Sequence, residues 1–231
     1  MDGALGPEMS QDYQLEIFGD EREPLVIIDG FVEDLAALRA QATGAAFAVT
    51  SPHYPGIRAQ ANAAYLAERM ALLQDIVASV FGMSDGAKLV ECAFSIVTAP
   101  RQSLTPIQCL PHFDSTDPGR LALLHYLSGS EAGGTAFYRH VSTGYETIKQ
   151  DRLANYTKNL NAESATTQTP TPGYYRSGAL FECIGEIEAR PNRMVLYRGY
   201  RLHSGIIPDA LPLHADPATG RLTVNTFLQA R

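Results

Sequence analysis

Two stretches of the chain place a histidine and an aspartate two residues apart. His112 and Asp114 lie in "PHFDSTDPGRLALLHYLSG", and His214 and Asp216 lie in "LPLHADPATG". In extended backbone, side chains at alternate positions point the same way, so an imidazole and a carboxylate can reach a common point. Each pair supplies two of the three protein ligands that a catalytic metal ion usually has.

A third ligand is available downstream of the first pair. The segment "RPNRMVLYRGYRLHSGIIP" contains a turn at Pro191 and Asn192, an apolar strand and then His203. Together with His112 and Asp114, this residue would place two imidazoles and one carboxylate on one face of an ion. Such a facial triad leaves positions open for substrate and O2 and is typical of non-haem Fe(II) oxygenases. Zinc accepts the same ligand types, so the ligands do not fix the metal.

The second pair lacks this support. His214 and Asp216 lie between Pro212 and Pro217, and no histidine follows them in the sequence. Because proline interrupts strand pairing, we expect these residues to lie in a solvated loop.

The composition restricts the class of protein. The 231 residues include 45% apolar residues and carry a formal net charge of −7. We expect one domain over residues 1–231, and no nucleic-acid partner, because no basic cluster is present. No apolar run reaches the roughly 20 residues that span a bilayer, and the acidic N-terminus does not resemble a signal peptide, so we expect a soluble, cytoplasmic protein without a membrane partner. Cys92, Cys109 and Cys183 are widely spaced, which favours reduced, buried thiols.

The predicted secondary structure of the chain changes near residue 88. Residues 1–87 contain a predicted strand at 25–28, a following helix, and a long amphipathic helix over 62–81. Residues 88–231 contain six short β-rich runs separated by turn residues. We therefore predict an α+β chain whose second part is a β-sandwich or barrel.

Two segments stand apart from these elements. Residues 142–174 form a long insertion with a helical first half, typical of either a mobile connection or a lid over a site. Residues 50–61 are expected to be a loop, and His53 within it is one candidate for the mouth of a substrate site.

The order of the motifs resembles the catalytic core of the 2-oxoglutarate- and Fe(II)-dependent dioxygenases, particularly the prolyl 4-hydroxylase-like branch. "HFD" is similar to the His-x-Asp of that family, and "LLHYLS" followed by "GGTAFY" is similar to its tyrosine-bearing strand, glycine turn and next strand. "NRMVLYRGYRLHSGIIP" resembles the segment that delivers the distal histidine, and "GRLTVNTFL" resembles the final strand with its arginine. The resemblance implies a double-stranded β-helix (jelly-roll, cupin-like) core, with the N-terminal helices packed on one sheet.

The resemblance also implies roles for individual residues. His112, Asp114 and His203 would be the catalytic iron ligands, and Arg221 would bind the far carboxylate of 2-oxoglutarate, which suits a guanidinium. Tyr126 is a second candidate for that carboxylate, with Thr223 and Asn225 assisting from the last strand. The interval between His203 and Arg221 is longer than is usual in this branch, because a proline-rich loop intervenes.

The implied activity is hydroxylation with Fe(II), 2-oxoglutarate and O2, giving succinate and CO2. The presence of Asp114 favours hydroxylation over halogenation, because the related halogenases lack this carboxylate. Arg198 and Arg201, which precede the distal histidine, are expected to be solvated charges. Two alternatives stay open: a zinc or manganese cupin-like enzyme that does not use 2-oxoglutarate, and a non-catalytic jelly-roll binding module. The sequence does not distinguish a protein side chain from a small molecule as substrate, and it gives no oligomeric state.

Overall fold

The computed structural model describes residues 12–166, 173–175 and 177–231. Residues 1–11, with most of the acidic N-terminal segment, and residues 167–172 of the predicted insertion lie outside this part. The described residues form three α-helices, α1 (Leu35–Thr43), α2 (Met70–Ser79) and α3 (Gln150–Thr166). Their strands are β1 (Gln14–Ile17), β2 (Pro24–Asp29), β3 (Gly56–Gln60), β4 (Ala87–Val97), β5 (Arg120–Tyr126), β6 (Gly134–His140), β7 (Phe181–Glu188), β8 (Arg193–Arg198), β9 (His203–Ile206) and β10 (Leu222–Ala230).

The strands form two antiparallel sheets. The larger sheet has the order β1-β2-β8-β5-β10-β4-β3, and the smaller sheet has the order β7-β6-β9. Because side chains alternate along a strand, each strand of the larger sheet presents two different faces. On β5, Leu121 and Leu123 join the cluster under the helices, whereas Ala122 and Tyr126 pack toward Phe137 of the smaller sheet.

The N-terminal helices cover the outer face of the larger sheet. Leu38 of α1 and Ile76 of α2 belong to one buried cluster with Phe94 of β4 and Leu196 of β8. Burying each such side chain contributes about 1.5–3 kcal/mol, which fixes the sheet that carries the candidate site. The α+β class and the packing of the N-terminal helices on one sheet are thus confirmed.

The helix predicted over 62–81 is divided in two. The Asn62 side chain accepts a hydrogen bond from the N–H of Ala64, and a 3₁₀ helix then runs over Ala63–Arg69 before α2 begins. The Arg69 guanidinium donates to the carbonyl oxygens of Gly30 and Phe31, which ties this junction to the end of β2. The spacing of the apolar residues predicted a helical face, but it did not predict the change from a 3₁₀ helix to an α-helix at Met70.

The segment 50–61 was wrongly predicted to be entirely loop. Residues Gly56–Gln60 form β3, which pairs with β4 at the edge of the larger sheet. The pairing places Arg58 opposite Ser95 and Ala59 opposite Phe94. A five-residue strand that follows Pro55 and begins with Gly56 has little local signal, so its pairing with β4 decides its structure.

Candidate metal centre

His112 and His203 are brought together by the backbone. The His112 N–H donates to the His203 carbonyl oxygen at 2.9 Å, and the His203 N–H donates to the His112 carbonyl oxygen at 2.8 Å. The N–H of Asp114 donates to the carbonyl oxygen of Gly199 at 2.7 Å. This bond fixes the backbone of Asp114, two residues after His112. His203 follows the apolar strand β8, as predicted, and itself begins β9.

The three predicted ligand side chains converge. One potential ligand atom from each of His112, Asp114 and His203 lies within 4.8 Å of the other two. His203 Nε2 lies 3.6 Å from Asp114 Oδ2, and His112 Nε2 lies 4.0 Å from Asp114 Oδ1. Two atoms that each bind an ion at about 2.1 Å are at most about 4.2 Å apart, so both distances suit one shared ion.

The orientation of the His203 ring supports metal binding. Its Nδ1 lies 2.9 Å from the carbonyl oxygen of Arg201, which can only accept, so Nδ1 carries the proton. Nε2 is then the bare nitrogen and faces Asp114. A histidine ligand is commonly held in this way through its other ring nitrogen. The residues present therefore fit a divalent metal ion.

Arg201 is buried, which corrects the expectation that it is solvated. Its side chain is 2% exposed, stacks 4.5 Å from the centre of the Phe137 ring, and donates to the carbonyl oxygen of Glu23. Burial lowers the pKa of Arg201 to about 10. Arg201, which supplies the carbonyl for His203, is thus held by Phe137 and Glu23, and neither contact can be predicted from the adjacent sequence.

Burial also sets the protonation preferences of the candidate ligands. It lowers the pKa of His203 to about 4, so the imidazole is neutral at neutral pH, the form that binds metals. Burial raises the pKa of Asp114, because the ion-free carboxylate is costly to hold in this position. A bound cation would stabilise the ionised carboxylate.

The candidate centre opens into a cavity of about 570 Å³ between the two sheets. Tyr156 and Leu160 of α3 line it, as do Tyr174 and Tyr175. Thus the described parts of the predicted insertion, 142–174, contribute Tyr156, Leu160 and Tyr174 to the lining of the cavity.

Arg221 lies in the same cavity, immediately before β10. Its side chain is buried, Nε donates to the Ala132 carbonyl oxygen at 2.8 Å, and Nη2 donates to the Gly134 carbonyl oxygen at 2.9 Å. These bonds orient the guanidinium. Thr223 and Asn225 follow at alternate positions, also line the cavity, and are joined by a 2.9 Å hydrogen bond from Oγ1 to Oδ1.

Tyr126 lies behind the cavity wall. It is buried among apolar residues of both sheets, and its hydroxyl lies 2.6 Å from Thr135 Oγ1. Thr135 lines the cavity, whereas Tyr126 contacts Thr135 through the Thr135 hydroxyl. Thr135 was not among the predicted site residues. The surrounding sequence offers little indication of a role beyond its position on the strand that begins after "GG".

Two further cavity residues come from the missed strand β3 and the residues before it. Arg58 lines the cavity, and its guanidinium lies 4.4 Å from the centre of the Tyr54 ring, which also lines it. His53, a candidate for the mouth of a substrate site, also lines the cavity. The alternation of Gly56, Arg58 and Gln60 was the only sequence signal for β3.

The remaining candidates are placed away from the centre. His214 and Asp216 are exposed, and the Asp216 side chain caps its own turn by accepting from the Ala218 N–H. Cys92 and Cys109 are buried free thiols, whereas the Cys183 thiol is only half-buried, which corrects the expectation for that residue. Within the described ranges, no helix is both long enough and apolar enough to span a bilayer.

The fold and the site define a two-sheet α+β protein with a candidate centre of two histidines and one aspartate. The family described as "Family of unknown function (DUF6445)" matches residues 9–228, and the chain belongs to that family. No curated protein matches the chain.

Several solved structures show a distant likeness. HygX from Streptomyces hygroscopicus, with nickel and 2-oxoglutarate bound, is 12% identical, with 89% of this chain and 82% of that chain covered and a TM-score of 0.49. The non-heme alpha ketoglutarate dependent epimerase SnoN from nogalamycin biosynthesis is 11% identical, with 90% and 79% covered and a TM-score of 0.47. An N-substituted L-amino acid dioxygenase from Burkholderia ambifaria AMMD is 14% identical, with 91% and 84% covered and a TM-score of 0.44.

Proposed function

We propose that this protein is an Fe(II)- and 2-oxoglutarate-dependent oxygenase that hydroxylates its substrate. The observation that carries the proposal is the meeting of His112, Asp114 and His203 within 4.8 Å at a cavity that also contains the buried Arg221. Two imidazoles and one carboxylate leave the remaining positions of an octahedral ion open. We interpret the two facing sheets as the double-stranded β-helix and the whole chain as one domain.

Each residue has a distinct part in this proposal. His112, Asp114 and His203 hold the ion, and the Arg201 carbonyl keeps the His203 Nε2 directed at it. Arg221 binds the far carboxylate of 2-oxoglutarate with the N–H groups that Ala132 and Gly134 leave free.

The bound iron would supply the activation of O2, which side chains alone do not perform. Overall, one oxygen atom of O2 enters the C–H bond of the substrate and the other enters succinate. Decarboxylation of 2-oxoglutarate releases CO2 and provides two of the four electrons that reduce O2. The protein would contribute by holding both reactants in a cavity whose lining includes apolar and aromatic side chains together with the polar groups that orient them.

An anaerobic titration with Fe(II) and 2-oxoglutarate tests the proposal. The expected result is a metal-to-ligand absorption band that requires both additions, followed by succinate release in air. Arg221→Gln should raise the 2-oxoglutarate concentration required by about 10- to 100-fold, since a charged hydrogen-bonding partner is lost. Arg221→Lys, which keeps the charge, should lie between this variant and the wild type.

The alternatives give different results. A zinc or manganese enzyme that does not use 2-oxoglutarate would bind metal through the same three ligands but would show neither the band nor any dependence on Arg221. A binding module would release no succinate. An unchanged 2-oxoglutarate requirement in Arg221→Gln would reject the role of Arg221 even if the band formed.

A further inference from the structure

A second arginine projects into the cavity from the sheet edge. Arg58 of β3 lies opposite Ser95 of β4, and Ser95 lies opposite Thr223 of β10. Residues opposite each other on neighbouring strands share a face, so Arg58 and Thr223 lie in one row on the cavity side. This row brings Arg58 to the same cavity as the metal ligands, on the far side of β4 from Arg221.

The hydrogen-bonding capacity of Arg58 is largely unused. Its Nε is buried, and no atom of the described chain accepts from it. Its Nη1 donates a hydrogen bond to Glu91 Oε1 at 3.5 Å, which is long for a hydrogen bond. The Glu91 side chain is 45% exposed. A guanidinium has five N–H donors, and burying any of them without a partner is costly. A polar ligand in the cavity would satisfy them.

Tyr54 fixes the guanidinium and lies near both arginines. Its ring lies 4.4 Å from the centre of the Arg58 guanidinium, which limits the side chain to a few orientations. Burial raises the pKa of Tyr54, and the charges of Arg221 and Arg58 oppose that rise. Both cations therefore lie within electrostatic range of one hydroxyl group.

The charges in the cavity are unequal. Among the described lining residues, Asp114 is the one carboxylate, whereas Arg58 and Arg221 are both cations. In the proposed oxygenase, a divalent ion and Arg221 are together balanced by Asp114 and by the two negative charges of 2-oxoglutarate. Arg58 adds a further positive charge to the cavity, and its protein partner is the Glu91 carboxylate, which is 45% exposed and 3.5 Å away.

We propose that Arg58 binds the carboxylate of the primary substrate, and that this substrate is a small organic acid with an apolar or aromatic body. This inference rests on the proposed function and specifies its substrate class. A cavity of about 570 Å³ lies within the usual range for small-molecule sites. The aromatic residues Phe113, Tyr156, Tyr174 and Tyr175 line it and provide surface for the body of the acid.

Matched pairs of acids and amides test this assignment without turnover. The probes are hippurate, indole-3-acetate and N-acetylphenylalanine, each paired with its primary amide. Binding is measured by calorimetry to the full chain loaded with Zn(II) and saturated with 2-oxoglutarate. At least one acid should bind about 10- to 100-fold more tightly than its amide, and Arg58→Gln should abolish that preference. No preference for any acid, or a preference that survives in Arg58→Gln, would overturn the proposal.

Two further variants separate substrate binding from a structural role. Glu91→Gln removes the protein partner of Arg58 and should leave acid binding unchanged or tighter. Equal loss of acid binding in Glu91→Gln and Arg58→Gln would show instead that the ion pair only maintains the sheet edge. Arg58→Lys, which keeps the charge, should retain part of the preference, and thermal unfolding would verify that each variant is folded.

Failure of the proposed function gives a different pattern. In that case 2-oxoglutarate binds neither the Zn(II)-loaded wild type nor the Zn(II)-loaded Arg58→Gln variant. The acid and amide pairs are then compared in the Arg221→Gln background, where Arg58 is the remaining cavity arginine of the described chain. An acid preference there that depends on Arg58 would support the anion site, and its absence would reject it.

Discussion

The imidazole rings of His112 and His203 lie 4.4 Å apart, centre to centre, although β5, β6, β7 and β8 lie between these residues in the chain. The reciprocal backbone hydrogen bonds between the two residues produce this approach. Each ring also has a carboxylate oxygen of Asp114 within 4.0 Å, a spacing that suits one shared ion.

Asp114→Ala is expected to lower the affinity for Zn(II) or Fe(II) by at least about 100-fold. Even the loss of a residue that only supports a ligand commonly costs 10- to 100-fold, and Asp114 would be a ligand itself. Competition with a chromogenic chelator measures the affinity. Asp216→Ala is the matched control from the exposed His-x-Asp pair and should bind metal like the wild type. If the two variants bind equally well, the assigned centre is wrong.

Asp29 is expected to contribute a pH-dependent stability of at most about 1 kcal/mol. Arg193 donates to both of its carboxylate oxygens, at 2.6 and 2.8 Å, and this hydrogen bonding lowers the pKa of Asp29 below 3.8. The expected contribution to stability is small because the Asp29 side chain is 44% exposed, and solvent screens its interaction with Arg193. A carboxyl group whose pKa is lower in the folded state stabilises the protein above pH 3.8, and the contribution is lost as the pH falls further.

Urea unfolding of the wild type and of Asp29→Asn measures this contribution. The difference in unfolding free energy should be full at pH 6 and should shrink toward zero as the pH is lowered to roughly 2. A difference that stays constant over this range would show that the ionised carboxylate is not the source of the stability.

Ile76→Ala is expected to reduce the unfolding free energy by about 2–4 kcal/mol. Ile76 is fully buried between α2 and the outer face of the larger sheet, and its truncation leaves a cavity there. The metal affinity of the folded variant should stay unchanged, because the candidate centre lies on the opposite face of that sheet. A parallel loss of metal affinity would contradict the separation of the two layers.

Glu163→Ala is expected to loosen α3 without affecting the metal centre. The Glu163 carboxylate lies 2.9 Å from Nε2 of His140, a fully buried residue whose ring also packs against Tyr156 of the same helix. Removal of this contact should increase amide hydrogen exchange in α3 by about 10-fold, since the helix loses a tie to β6. Zn(II) affinity should remain within about twofold of the wild type. Unaltered exchange would show that apolar contacts alone hold the helix.

Several features of the fold could be read from local pattern. The β-rich runs after residue 88 became strands, and the turn before β8 forms at Asn192, whose φ of 65° an asparagine tolerates. By contrast, β3 and the division of the 62–81 helix were missed. Both depend on partners elsewhere in the chain: β3 pairs with β4, and Arg69 bonds to carbonyl groups after β2.

The roles of single charged or polar residues were less accessible. Nothing in the residues around Arg201 or His140 indicates burial, yet both are enclosed once the sheets pack. Tyr126 has the alternation of an inward-facing residue, but only the tertiary structure shows that its hydroxyl pairs with Thr135, which lines the cavity.

The sequence by itself determined the chemical types of the candidate centre and their order: His112, Asp114, His203 and then Arg221. It could do so because alternation along extended backbone is local, and because ligand chemistry belongs to the side chain. Only the tertiary structure decided that these side chains share one cavity, and that Arg58 enters it as a second cation. Those relationships arise from strand register across the whole sheet, where burial and unpaired hydrogen-bond donors are fixed by residues distant in the chain.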